Sequence, residues 1–171
     1  MIKYELTNIE QCALIHPKIS YDHRGEYVST YSKYDYESVF NVQFVEDDIS
    51  VSRQNVLRGL HGDNKTWKLI QCLYGSIILA VVDCRNDKFT HQLFHLNDKN
   101  RTQVLIPPSC ANGHYVLSDT AIFSYKQSQY YSGSDGQFTI RYDDPRININ
   151  WGMKNFNPII SERDMVNNGG L

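Results

Sequence analysis

An all-β fold, a jelly-roll barrel or sandwich carrying a few short helices, is what this 171-residue sequence predicts. Three observations carry that expectation. Short strand-like runs follow one another through the middle of the chain, separated by turn residues. The run Ile77-Ile78-Leu79-Ala80-Val81-Val82 is apolar on both alternations, as a strand buried between two sheets must be. Helical periodicity is weak, and only 34–40 and part of the tail after Ser161 suit a short helix. The predicted strands are 42–52, 67–74, 76–84, 90–96, 102–106, 114–117, 121–127, 137–142 and 147–151. Gly75 between two apolar runs predicts a tight hairpin, and Ser118-Asp119 predicts another turn. No repeat, low-complexity tract or linker divides the chain, so residues 1–171 read as one domain.

Composition narrows the function classes. Seventeen Lys and Arg against nineteen Asp and Glu leave a net charge of −2, which argues against a nucleic-acid surface. That balance leaves room for a local cationic cluster around a phosphate. Cys12, Cys72, Cys84 and Cys110 are scattered without a CxxC pair and read as reduced core thiols. No apolar run approaches the roughly 20 residues of a membrane span, and the first ten residues lack a secretory pattern. A soluble, cytoplasmic protein is expected. Twelve tyrosines suit strands that point hydroxyls into a wet cavity, although tyrosine is also a good strand former.

The densest chemical cluster is Arg58-Gly59-Leu60-His61, followed by Lys68. Arg58 and His61 at the end of a strand can both face a barrel mouth if the glycine bends the chain. A lone histidine is more often structural, but two cations beside it suit an anionic substrate. Barrels that hold a metal through two closely spaced histidines, a glutamate and a later histidine are a poor match. There is no HxH pair here, and no glutamate lies between His61 and Gly75. No bound metal and no cofactor are expected. The serine-hydrolase elbow, P-loop and dinucleotide fingerprint are absent from the sequence.

Taken in order, the motifs resemble the dTDP-4-dehydrorhamnose 3,5-epimerase family. They are Asp22-His23-Arg24-Gly25, Val56-Leu57-Arg58-Gly59-Leu60-His61, Lys68-Leu69, Val82-Asp83-Cys84-Arg85, Ile106-Pro107, Tyr125-Lys126, Tyr130-Tyr131, Asp143-Asp144-Pro145, Trp151 and Ser161-Glu162-Arg163-Asp164. The resemblance implies a cupin-type barrel and a cofactor-independent epimerase acting beside a 4-keto group. It implies His61 as general base, Asp164 as its carboxylate partner, Tyr125 as the acid on the opposite face and Lys68 near the C4 oxygen. Tyr131 would line the same site and Arg58 would contact the diphosphate. Arg24 with Tyr27 would reach the nucleotide of a neighbouring subunit, which implies a homodimer with an exchanged N-terminal arm. Without the family, Tyr125 and Tyr131 read as strand aromatics, Asp164 as a solvated tail residue, Asp144 as a turn former and Arg24 as part of a surface turn.

The residue types also answer the chemistry. A proton beside a ketone is removable when the enolate oxygen is stabilised, and one such donor in a dry cavity is worth on the order of 10²–10³ in rate. Histidine, with an ordinary pKa near ~6.5, abstracts a proton at neutral pH. Inversion then needs a second donor across the ring, and a tyrosine hydroxyl suits it.

Three departures from the family pattern stand out. The usual Phe-Ala-His-Gly-Phe segment is Cys110-Ala111-Asn112-Gly113-His114 here; Asn112 and His114 become candidate substrate contacts. The segment from Gly62 to Trp67 is short, and Ser29 stands where a glutamate is frequent. Together with Arg24-Gly25-Glu26, His61-Gly62-Asp63, Lys65-Thr66 and Ile160 before the Ser-Glu-Arg-Asp tail, these departures resemble the GDP-4-keto-heptose epimerases of bacterial capsule synthesis. The expected reaction is inversion at C3, with C5 as a second centre, of a nucleotide 4-keto-6-deoxy sugar, with GDP-linked heptose preferred over the dTDP sugar. The rivals are a sugar-nucleotide 3,4-ketoisomerase, which would move the carbonyl, and a non-catalytic sugar-binding cupin.

Overall fold

The computed structural model of the chain describes residues 2–152 and 157–166. Two antiparallel sheets face one another. Strands β1 (Lys3–Leu6), β2 (Ala13–His16), β5 (Glu46–Arg53), β7 (Lys68–Tyr74), β10 (Gln103–Ile106) and β12 (Thr120–Gln127) form a six-stranded sheet in the order β1-β2-β10-β7-β12-β5. Strands β6 (Leu57–Gly62), β8 (Ser76–Asp83), β9 (His91–Asn97), β11 (Cys110–Val116) and β13 (Phe138–Thr139) form the second, in the order β13-β6-β11-β8-β9. A separate hairpin joins β3 (Ile19–Asp22) to β4 (Gly25–Val28). Helix α1 (Lys33–Phe40) starts where the Ser32 side chain accepts from the Asp35 N–H and ends at Asn41 in the left-handed region.

Three apolar layers account for this arrangement. Between the sheets lie Ile70, Cys72, Leu79, Val81, Val104 and Phe123, contributed by alternate residues of facing strands. On the outer face of the five-stranded sheet, Leu60, Ala80 and Val82 pack under Phe138, Ile147 and Trp151. β8 is therefore apolar on both alternations because the C-terminal segment covers its second face. On the outer face of the six-stranded sheet, Ile15, Leu69 and Leu105 pack under Tyr36 of α1, with Trp67 and Phe44 alongside.

The expected strands at 67–74, 76–84, 90–96, 102–106 and 121–127 form within a residue or two of their limits. Gly75, at φ +78°, makes the β7–β8 turn, and a Cβ there would lie 2.2 Å from the Thr120 carbonyl oxygen. The segment 147–151 is not a strand, which corrects the prediction. Its alternating Ile147, Ile149 and Trp151 do pack against the core, but the Asp144 carbonyl accepts from both the Ile147 and Asn148 N–H groups. Asn148 then takes φ +52°, so the backbone turns instead of extending. The predicted strand 137–142 shrinks to β13, and 42–52 begins only at Glu46. β11 starts four residues earlier than expected, at Cys110.

β6 and β11 approach closely at two glycines. Gly59 adopts φ +109°, and a Cβ on it would lie 2.6 Å from the Asn112 carbonyl oxygen and from Gly113 Cα. The pairing register shifts between Asn112 and His114 at this point, and Asn112 faces His61 across the ladder. The tail closes the same corner. Ile159 bridges in parallel to Val56, the Leu57 N–H donates to the Ile159 carbonyl at 3.0 Å, and the Ile159 N–H donates to Asn55 at 2.8 Å.

Candidate active site

Because the tail runs beside β6, the 3-10 turn Glu162–Met165 carries Asp164 directly to His61. Asp164 Oδ1 lies 2.6 Å from His61 Nε2, and its Oδ2 accepts from the Gly59 N–H at 3.3 Å. Ser161 caps the turn, its Oγ accepting from the Asp164 N–H at 3.3 Å. Asp164 is 3% exposed, so it is no solvated tail residue. Burial alone would raise its pKa, but the His61 hydrogen bond and charge, with the Gly59 and Ser161 contacts, hold it below the ordinary carboxylate value. An ionised carboxylate on Nε2 fixes the tautomer with hydrogen there, leaving Nδ1 as the basic nitrogen.

His61 lines a cavity of about 550 Å³ between the sheets, together with Arg58, Lys68, Asn112, Tyr125 and Tyr131. Lys68 opens β7, is 6% exposed, and donates from Nζ to Asn112 Oδ1 at 3.0 Å and to the His61 carbonyl at 3.4 Å. Burial lowers its pKa to about 8; Asp63 opposes that shift and Arg163 adds to it. Arg58 is steadied by Ser52, whose Oγ accepts from Nε at 2.9 Å.

His114 stacks on Phe123, ring centroids 4.0 Å apart and planes within 13°. It is buried, its pKa falls to about 3 chiefly through that burial, and Nε2 finds no hydrogen-bond partner among the described residues. His114 is thus a neutral imidazole at any working pH. Tyr125 is half-buried, its ring 5.5 Å from that of Phe123. Burial, then the neighbouring Asp48, raise its pKa, so the phenol stays protonated. Tyr131 is half-exposed at the rim, where its N–H donates to Glu46 Oε2 at 2.8 Å.

Eight of the ten sequence-derived candidates thus meet in one cavity: His61, Asp164, Lys68, Tyr125, Arg58, Asn112, His114 and Tyr131. Arg24 and Tyr27 do not. Arg24 sits at the tip of the β3–β4 hairpin, held by Asp22 at 2.6 Å, and Tyr27 is 73% exposed. Tyr27 lines a second cavity of about 560 Å³ beside His16 and Lys18. Residues that sequence reasoning missed also line the main cavity: Arg163, Gln137, Ser50, Gln127 and Phe123. Arg163 donates to Gln137 Oε1 at 3.1 Å, and its signal was present in the Ser-Glu-Arg-Asp motif. Among the described residues, no three His, Cys, Asp or Glu side chains converge as metal ligands would.

The arrangement offers a carboxylate-backed imidazole, a buried ammonium and a protonated phenol around one space, with two guanidinium groups on its wall. Residues 6–169 match the family model described as dTDP-4-dehydrorhamnose 3,5-epimerase. The enzyme of that name from Salmonella typhimurium is 34% identical over 166 residues, covering 92% of this chain and 90% of its own. The crystal structure of dTDP-6-deoxy-D-glucose-3,5-epimerase from Legionella pneumophila, in complex with dTDP-4-keto-L-rhamnose, superposes with a TM-score of 0.89 at 32% identity. It covers 96% of this chain and 90% of that one. The Bacillus anthracis dTDP-4-dehydrorhamnose 3,5-epimerase, with TDP and pyrophosphate bound, gives 0.90 at 29% identity and covers 98% and 99%.

Proposed function

Since this chain belongs to the dTDP-4-dehydrorhamnose 3,5-epimerase family and is an isomerase of the carbohydrate-epimerase kind, we propose that it inverts C3 and C5 of dTDP-4-keto-6-deoxyglucose. The carrying observation is the His61–Asp164 pair at 2.6 Å beside the Lys68 ammonium, inside a cavity of sugar size. His61 Nδ1 takes the proton from the carbon beside the ketone, and the C–H electrons move onto O4. Asp164 stabilises the imidazolium that forms. Lys68 faces the growing negative charge on O4. Tyr125, protonated by virtue of its raised pKa, returns a proton to the opposite face. The two residues then re-equilibrate with solvent, His61 losing a proton and Tyr125 gaining one, so the cycle balances without a redox step.

Arg58 and Arg163 supply the cationic wall a diphosphate needs. The hairpin carrying Arg24 and Tyr27 would complete the nucleotide site of a second copy, giving a homodimer with exchanged arms. The GDP-4-keto-heptose reading rests on the departures from the family pattern: Asn112 and His114 where the family has histidine and phenylalanine, the short segment 62–67, Ser29, and the motifs that accompany them. The relatives carry the dTDP sugar in their names, and that substrate takes precedence.

Proton NMR in D2O with each nucleotide sugar separates these readings, with sedimentation run on the same sample. Deuterium entering C3 and C5 of the dTDP sugar, with a two-chain mass, is the expected result. Exchange at C3 alone makes the chain a 3-epimerase, and exchange only in the GDP-heptose transfers the assignment there. A product with its carbonyl moved to C3 would identify a ketoisomerase, and no exchange in either sugar would sink the reading.

A further inference from the structure

Lys68 is held by oxygen atoms that carry no formal charge. Its Nζ donates to Asn112 Oδ1 at 3.0 Å and to the His61 carbonyl at 3.4 Å, and neither acceptor neutralises the ammonium. The ionisable groups that act on it from elsewhere stand at the margins: Asp63 in the loop after β6, Arg163 in the tail turn and Cys110 at the start of β11. The only carboxylate among them, Asp63, is already engaged, its Oδ1 accepting from the Lys65 and Thr66 N–H groups at 2.9 and 2.7 Å.

Asn112 reaches Lys68 because β11 lies between β6 and β8, with Asn112 opposite His61 in the register. Base and ammonium are thereby referenced to one pair of strands. We propose that Asn112 is a positioning residue, not a substrate contact: its amide oxygen fixes the Lys68 ammonium toward the enolate oxygen while leaving the positive charge intact. This rests on the epimerase reading above. A histidine at this place offers one acceptor nitrogen that is lost on protonation, and an aspartate would quench the charge. The amide supplies an acceptor at every pH and competes least with a developing oxyanion.

Two consequences follow from burial. A lysine with its pKa lowered to about 8 loses its proton within reach of the working range, and the stability of its charged form depends on what accepts from it. Removing the Asn112 oxygen lowers that pKa further, because the ammonium stays desolvated with one acceptor fewer. Replacing the amide by a carboxylate raises it.

The test follows the Lys68 Nζ resonance by nitrogen-15 NMR, assigned by its loss in Lys68→Met, alongside pH–rate profiles. Asn112→Leu is expected to lower the Lys68 pKa by about one unit and to cut kcat by about tenfold or more with KM little changed. Asn112→Asp keeps the side-chain volume should the leucine variant fail to fold. It is expected to raise that pKa, to carry the alkaline limb of the rate profile up with it, and still to lower kcat. If both variants leave the Lys68 titration where it was, or raise KM alone, Asn112 touches substrate and the proposal is overturned. A wild-type chain that exchanges no sugar proton removes the epimerase reading only, since the titration still decides what Asn112 does to Lys68.

Discussion

At the residue scale, the site is built from groups displaced from their ordinary protonation behaviour in useful directions. Asp164 is held ionised, Tyr125 protonated, His114 neutral and Lys68 ready to lose its proton near pH 8. Lys68 gives a prediction in which activity and stability move oppositely. The folded pKa of about 8 lies below the unfolded value near ~10.5, so the unfolded chain binds more protons between them. Stability from this group therefore rises as pH goes from about 8 to ~10.5, while turnover falls because the ammonium is lost. Burying the charge costs roughly 3 kcal/mol at neutral pH. Lys68→Met should accordingly unfold at a higher temperature at pH 7, lose that pH slope, and drop kcat by on the order of 10²–10³. A mutant no more stable than the wild type would show that the lysine is not held at such a cost. His61, Lys68 and Arg58 were legible as a cluster because they lie within eleven residues. Asp164, more than a hundred residues away, was legible only as part of an ordered set of motifs. Phe123 and Gln137 lacked any chemical signal. Phe123 reaches the cavity through the register of β12 and Gln137 through the turn before β13, neither of which a single sequence prints.

At the element scale, β6 and the tail are the parts that make the site. β6 passes so close to β11 at Gly59 that any side chain would meet backbone 2.6 Å away, and the Gly59 N–H binds Asp164. Gly59→Ala should therefore cost about 2 kcal/mol or more in urea denaturation and lower kcat beyond what lost stability explains. An alanine variant with wild-type stability would contradict the packing described. The central strands were readable because β7, β8, β10 and β12 are continuous apolar or alternating runs. The N-terminal strands were not. β1 is exposed throughout and β3 and β4 nearly so, and each is only four residues long, too short for its alternation to mark a buried face. The segment 147–151 misled for the opposite reason: its alternation is real and Ile147 and Trp151 are buried, but the backbone that carries them is a loop. Apolar patterning reports which residues are covered, and hydrogen bonding decides whether they form a strand.

At the scale of the whole molecule, two facing sheets hold an imidazole, an ammonium and a phenol on different strands around one cavity. β6 supplies His61, β7 supplies Lys68, β12 supplies Tyr125, and the tail returns to place Asp164 against His61. Arg24 and Tyr27 stand apart from that cavity, on a hairpin of their own. The hairpin is tethered through the ion pair of Glu26 with Arg101. The central claim is that this assembly removes a proton from carbon through His61. Its most direct test is the rate at which deuterium enters dTDP-4-keto-6-deoxyglucose from D2O, compared among wild type, His61→Asn and Tyr125→Phe. The account predicts that His61→Asn abolishes exchange, while Tyr125→Phe still exchanges the sugar proton but forms little inverted product. Exchange persisting at the wild-type rate in His61→Asn would contradict it.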